Sequence, residues 1–572
     1  MRPQARVGAF MVAALLAAGV ALLDAQAPSP AAQGQARPGA PTPSAVPGRQ
    51  TPSVRPEGTG VITGRVVSTE GRVLRGAHVM VYSTGFRDRW GARAKDDGTF
   101  EVTRLPQGEF TINANKPGYV SLSYGARKSG DAGRKVRVAD GQKVEKVDFQ
   151  LPRACVIAGV VLDEYGEPAG GASVEPMKRV AIGGRRRLMA MDFGKQTDDL
   201  GRFRLHGLDP GDYFVRASLQ ASYGTVSDDR SAHPPTFYPG VTSLSEAATV
   251  SCRAGQETPG IQVALSRTST VTVSGQVFDS AGKPVRTSVM LLQPDEVGLA
   301  TNISAMTRAD GSFTLSSVAS GTYHLVAQTM GAAMAADREV ASIELTVGGR
   351  DINGLVLQLS RGATLRGRVV ADGDATFDFP LNRLRVGAAI EFDTAFLVGS
   401  GNGLVKEDGT FEVTGLLGSK RLQAYGFPDT WMLKAIRGKN GDVTDQRLAF
   451  GAGETHDGFE VVLTNRVTTV TGSVTDDQKR PVKDYAVGIF SEDPAHWGFS
   501  TGRVMTVRSD QDGRYEVKGL QPGRYLAVAL PEVNNEEFID SEYLERLRPL
   551  ATSLTLSEGE ANSLNLRLIT GM

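Results

Sequence analysis

Asp97-Gly98-Thr99-Phe100-Glu101-Val102-Thr103 decides the fold. Gly98 offers the positive φ of a tight hairpin, and the residues after it alternate: Phe100 and Val102 on one side, Thr99, Glu101 and Thr103 on the other. Such alternation marks a strand packed on one face and wet on the other, as in an antiparallel sandwich. The turn recurs as Asp199-Leu200-Gly201-Arg202-Phe203, Asp310-Gly311-Ser312-Phe313, Asp408-Gly409-Thr410-Phe411 and Asp512-Gly513-Arg514-Tyr515, its glycines 103, 110, 98 and 104 residues apart. That period is too long for a solenoid repeat, so each unit is expected to be a domain with its own core.

Upstream of each turn a Gly-x-Val element opens the unit, at Gly64-Val66, Gly159-Val161, Gly275-Val277, Gly367-Val369 and Gly472-Val474. Downstream comes a second turn, clearest as Gly207-Leu208-Asp209-Pro210-Gly211 and Gly519-Leu520-Gln521-Pro522-Gly523. Inward residues such as Phe110/Ile112/Ala114, Tyr213/Val215/Ala217, Tyr323/Leu325/Ala327 and Tyr525/Ala527/Ala529 follow. A last alternating strand closes each unit, from Val147/Phe149/Leu151 to Leu564/Leu566/Leu568. The expected organisation is all-β: five sandwiches at 59–153, 154–267, 268–361, 362–465 and 466–572. Short links predict a semi-rigid string. One stretch, near 534–550, has the pattern of a short helical insertion that ends at Pro549.

These motifs resemble the carboxypeptidase regulatory-like domain, a transthyretin-like (prealbumin-type), Ig-like β-sandwich. The resemblance implies seven-stranded sandwiches, often strung on exported bacterial proteins, within a superfamily that includes carbohydrate-binding modules. It identifies a fold and leaves activity open.

Residues 1–27 have Arg2 and Arg6, an apolar run from Val7 to Leu23 and small residues at Ala25 and Ala27, the order of a secretory signal peptide. Cleavage after Ala25 competes with cleavage after Ala27, which Pro28 follows unfavourably. Residues 28–58 then form a Pro/Ala-rich linker, with eight prolines between Pro28 and Glu57, expected to be extended and disordered. No later apolar run is long enough to span a bilayer. With 63 Lys+Arg against 63 Asp+Glu in 572 residues, net charge supports no nucleic-acid or polybasic membrane binding. Gly, at 67 residues, exceeds the usual share of about 7%, in keeping with many turns.

Catalytic chemistry finds no constellation. None of His78, His206, His233, His324, His456 and His496 has a Glu three residues on, so the zinc motif of the metallocarboxypeptidases that accompany this family is missing. The chain ends Leu568-Ile569-Thr570-Gly571-Met572, not in the Tyr-Arg-Gly-Ser of the related hydroxyisourate hydrolase, and has no P-loop. Asp96-Asp97 and Asp198-Asp199 sit where Asp caps a turn. The run Gly183-Gly184-Arg185-Arg186-Arg187 reads as a solvated loop. Cys155 and Cys252 bracket one unit, either as a disulfide or as two buried thiols. Trp90, Trp431 and Trp497 fall outside the regular alternation, so they are the candidate carbohydrate contacts, set against the alternative that each covers its own core. No catalytic residue, metal ligand or cofactor is expected.

The expectation is a non-enzymatic, secreted or periplasmic protein of the cell envelope that spaces or binds, with polysaccharide or an envelope protein as its partner. The alternative is a docking module for a metallopeptidase or outer-membrane transporter supplied by another chain.

Overall fold

The computed structural model describes residues 58–570 apart from 84–87, 183–184, 193, 220–230, 294–295, 298–302, 330–338, 389–400, 498–501 and 536. The expected signal peptide with Ala25 and Ala27, and the linker up to Glu57, lie outside the described residues. The rest forms five sandwiches, each of two facing sheets of three to seven strands. In the first, the opening strand Gly60–Ser68 runs between Thr99–Leu105, antiparallel, and Phe149–Leu151, parallel. His78–Ser83, Arg89–Arg93, Gly108–Asn115 and Val136–Val138 make the facing sheet. The opening strands Cys155–Leu162, Val271–Phe278, Ala363–Ala371 and Thr469–Thr475 repeat the plan. Their interiors are separate, with buried apolar clusters inside 62–151, 155–265, 271–359, 363–463 and 470–566.

A steric fit explains the recurring Gly-x-Val. In every unit the glycine lies directly across from the aromatic of the hairpin strand: Gly64 from Phe100, Gly159 from Phe203, Gly275 from Phe313, Gly367 from Phe411 and Gly472 from Tyr515. A Cβ on any of them would overlap the closing strand's carbonyl oxygen, that of Val147, Ile261, Leu355, Phe459 or Leu564. None of these five glycines has a left-handed backbone, so the need is for space. The turn glycines do have positive φ, 81° at Gly98 and 77° at Gly513. Asp97 supports its turn by accepting from the Thr99 amide (2.9 Å) and hydroxyl (2.7 Å).

Two tethers strengthen particular units. Cys155 and Cys252 are joined, with Cα atoms 5.8 Å apart, tying the opening strand of unit two to Thr249–Cys252 of its larger sheet. The tyrosine after the second turn, Tyr213, Tyr323 or Tyr525, buries its ring and donates its hydroxyl to the carbonyl four residues earlier. In unit four the same inward position holds Lys420.

The units do not form a string. Short links fix neighbours but not direction, and unit five turns back onto units one, two and four. Its strands Ala486–Ser491 and Gly523–Leu530 are apolar on both faces. The outer face packs under an insertion made of short turns at Glu537–Ile539 and Arg548–Leu550 around a helix at Ser541–Leu547. Phe538 lies on Gly488, where a Cβ would strike its ring. Unit one joins the insertion through main chain, with the Asn535 amide donating to Gly130 O at 3.0 Å. From unit two comes the hairpin Ser173–Ile182 and Arg185–Ala190, which places Ala181 in the same apolar cluster and Arg186 Nε 2.7 Å from Asp540. The arginine run is therefore strand and docking contact rather than a solvated loop. Gly183 and Gly184 lie outside the described residues.

Ion pairs complete the contact with units one and four. Arg503 meets Asp445 and Lys434 meets Glu558 across the junction of units four and five. Glu109 of unit one accepts from Lys135 and Arg137, both at 3.0 Å, and these two reach on to Asp429 of unit four and Glu516 of unit five. Burial alone pushes Glu109 upward, but Lys135 and Arg137 outweigh it and hold its carboxyl down to about 2.

Replacing Cys155 and Cys252 by Ser should weaken unit two by about 4–5 kcal/mol, because the closed loop is close to a hundred residues long. Calorimetry with limited proteolysis should find new cleavage between the two positions while the other four units stay resistant. A second outcome concerns pH. Since the carboxyl of Glu109 is depressed from 4.5, its contribution is full above that value and fades as pH falls towards about 2. Glu109 and its two donors all belong to unit one, so calorimetry should record a lower transition temperature for unit one at about pH 3 than at neutral pH.

Candidate functional site

A cleft opens where unit five meets unit one. The edge strand Val504–Arg508 lies against residues 133–137, unit four adds Gln423, and the cavity volume is about 330 Å³. That is at the small end of ligand clefts, roughly 300–1,000 Å³. Strand alternation sets which side chains enter. Met505 and Val507 turn into the sandwich of unit five. Val504, Thr506 and Arg508 take the outer face, where Val504 joins the apolar cluster and the Thr506 hydroxyl donates to Asn535.

One carboxylate carries three guanidinium groups here. Asp484 accepts from Arg508 (2.8 and 3.1 Å), from Arg134 of unit one (2.8 Å) and from Arg127 of unit one (2.5 Å). Burial pushes Asp484 up, but the charge of Arg508 and the hydrogen bonds from Arg508 and Arg127 hold it below the usual carboxylate range. The Arg508 side chain is only 1% exposed. Its Nη1, and Nε of Arg134, are buried and meet no acceptor among the described residues. Lower in the cleft Glu516 holds Lys518 at 2.8 Å, and Asp510 accepts from the backbone of Asp512 and Arg514. Fixed cations thus stand beside carboxylate acceptors, an arrangement suited to binding. No histidine or cysteine lines the cleft among the described residues.

The candidate carbohydrate contacts are corrected by their burial. Trp90 lies within the strand Arg89–Arg93 and meets Phe110 edge-on at 5.6 Å. Trp431 packs on Phe377 and Phe379 and donates Nε1 to Asp378 at 2.8 Å. Trp497 donates to Ser491 O at 2.7 Å and packs on Phe490. With exposures of 5%, 3% and 7%, none offers a face for a sugar ring to stack on. The histidines do not converge either. His456 is paired with Glu454 and His233 with Glu164, and no group of three metal-ligating side chains occurs among the described residues.

Two features escaped the sequence reading. Glu175 and Arg216 form an ion pair on the outer face of unit two, 2% and 1% exposed, at positions where alternation would place wet side chains. The cleft itself joins residues more than 350 positions apart, and no local pattern encodes it. A signal did exist for the sheet whose edge strand lines it: Ala486-Val487-Gly488-Ile489-Phe490 and Leu526-Ala527-Val528-Ala529-Leu530 are continuous apolar runs, the pattern of strands covered on both faces.

No curated protein matches the chain. Among solved structures it is similar to the minor pilin GBS52 of Streptococcus agalactiae (13% identity, 37% of this chain and 97% of that one, TM-score 0.21). It is also similar to the TIE protein of Bacillus anthracis (10%, 80% and 71%, TM-score 0.15) and the major pilin subunit BcpA of Bacillus cereus (11%, 52% and 99%, TM-score 0.13). Residues 61–152, the first sandwich from opening to closing strand, match the family model of the carboxypeptidase regulatory-like domain.

Proposed function

We propose that the protein is an exported, non-catalytic binding and spacing component of the cell envelope, with polysaccharide as its ligand. The observation that carries this reading is the cleft between units one and five, where donors and acceptors are held by interlocked ion pairs and no nucleophile stands in register with a base among the described residues. The disulfide of unit two supports an oxidising compartment. No helix among the described residues is long and apolar enough to cross a membrane. Burial of the three tryptophans shifts the mode of recognition from ring stacking to polar contact, so binding is expected to weaken with salt.

The test is co-sedimentation of the chain with insoluble or cross-linked plant, bacterial and fungal polysaccharides, beside a glycan array. Retention on at least one polymer, reduced by added salt, is the expected result. Silence across all three sources removes polysaccharide as the ligand and leaves the docking-module alternative, for which co-purification with an envelope enzyme or transporter is the corresponding readout.

A further inference from the structure

The cleft has more fixed positive charge, shared between its two walls, than its own carboxylates use. Arg127, Arg134 and Arg508 all converge on Asp484, so three cations share one anion. Glu532 offsets part of this, pairing with Lys128 at 2.8 Å and standing 3.7 Å from Arg127. Desolvating a guanidinium is costly unless its N–H groups find acceptors, and a buried donor left without one costs the full desolvation penalty. Arg508 is in that position: its side chain is almost wholly buried, two of its nitrogens are committed to Asp484, and Nη1 is free. Arg134 Nε, on the opposing unit, is in the same state. Arg508 and Arg134 both line the cavity. At its mouth Arg514 is exposed and forms no ion pair among the described residues.

The other polar groups narrow the ligand. A simple anion trap needs donors alone, yet this cleft also has Glu516 and Asp510, acceptors suited to hydroxyl groups. Planar guanidinium forks match carboxylates bidentately. We propose that the cleft between units one and five binds a sugar acid, with the carboxylate held by Arg508, Arg134 and Arg514 and the hydroxyls by Glu516 and Asp510. This rests on the polysaccharide reading above and narrows it to uronate-containing chains. Because both walls are needed, the site exists only while unit five is docked on unit one.

The test is calorimetric titration of the full chain with trigalacturonate, with neutral cellotriose and with inorganic phosphate. Trigalacturonate should bind, cellotriose should not, and Arg508→Gln should lower the affinity by about tenfold or more. Since Arg508 also helps to hold the docked units, Arg514→Gln supplies a variant at the rim that leaves the fold untouched and should weaken binding several-fold. Unchanged affinity in Arg514→Gln and in a folded Arg508→Gln overturns the proposal, as does phosphate binding as tightly as trigalacturonate. If neutral polysaccharides are retained while trigalacturonate is not, the sugar-acid inference falls and the broader reading stands. If no polysaccharide of either kind binds, both fall.

Discussion

Everything in the architecture depends on one close approach, repeated five times, between a glycine in the opening strand and an aromatic ring across from it. The opening strand is the centre of its sheet, hydrogen-bonded on one side to the hairpin strand and on the other to the closing strand in parallel. A parallel partner from the far end of the unit can reach it only if nothing projects at the glycine, and the ring of Phe100 or its equivalents covers the space so left. The same contact thus joins the start, middle and end of every unit. That is why each sandwich closes on itself within about a hundred residues instead of sharing a core with its neighbour.

Unit five uses the common plan for a different purpose. Its larger sheet is apolar on both sides, one side filling its own sandwich and the other filled by Phe538, Leu544 and Leu547 from the insertion and Ala181 from unit two. An insertion that covers one sheet thereby also holds units one and two in place. The charged contacts lie around this apolar centre: Arg186 with Asp540, Arg503 with Asp445, and the arginines of unit one on Asp484. Surface ion pairs alone are worth little, so the apolar contact supplies most of the adhesion and the charges set its orientation.

Period-two alternation made the five sandwiches legible because each half-wet strand writes its burial into adjacent residues. The aromatic after the turn and the glycine before it could be read for the same reason, being local marks of a local constraint. Unit-to-unit docking left fainter traces. In unit five the inward residues of Gly523–Leu530 account for the sandwich, and the outward ones, Leu526 and Val528, are the trace that docking leaves. Arg134 and Asp484, 350 positions apart, had no sequence signature at all. The tryptophans misled for a related reason. Irregular spacing predicts exposure, whereas Trp431 follows its own covering aromatics, Phe377 and Phe379, at a distance no periodic pattern spans.

The cystine in unit two has a mechanical meaning for a protein built as a succession of modules. Tension along the chain enters that module near Cys155 and, on reaching the sulfur bridge, passes directly to Cys252, leaving the intervening chain, a sequence separation of 97, out of the load path. At roughly 3.3–3.6 Å per extended residue, more than about 300 Å of slack is thereby withheld. Pulled from its ends, this module yields only a short tail while its neighbours pay out their full contour, so it acts as the inextensible link of the series.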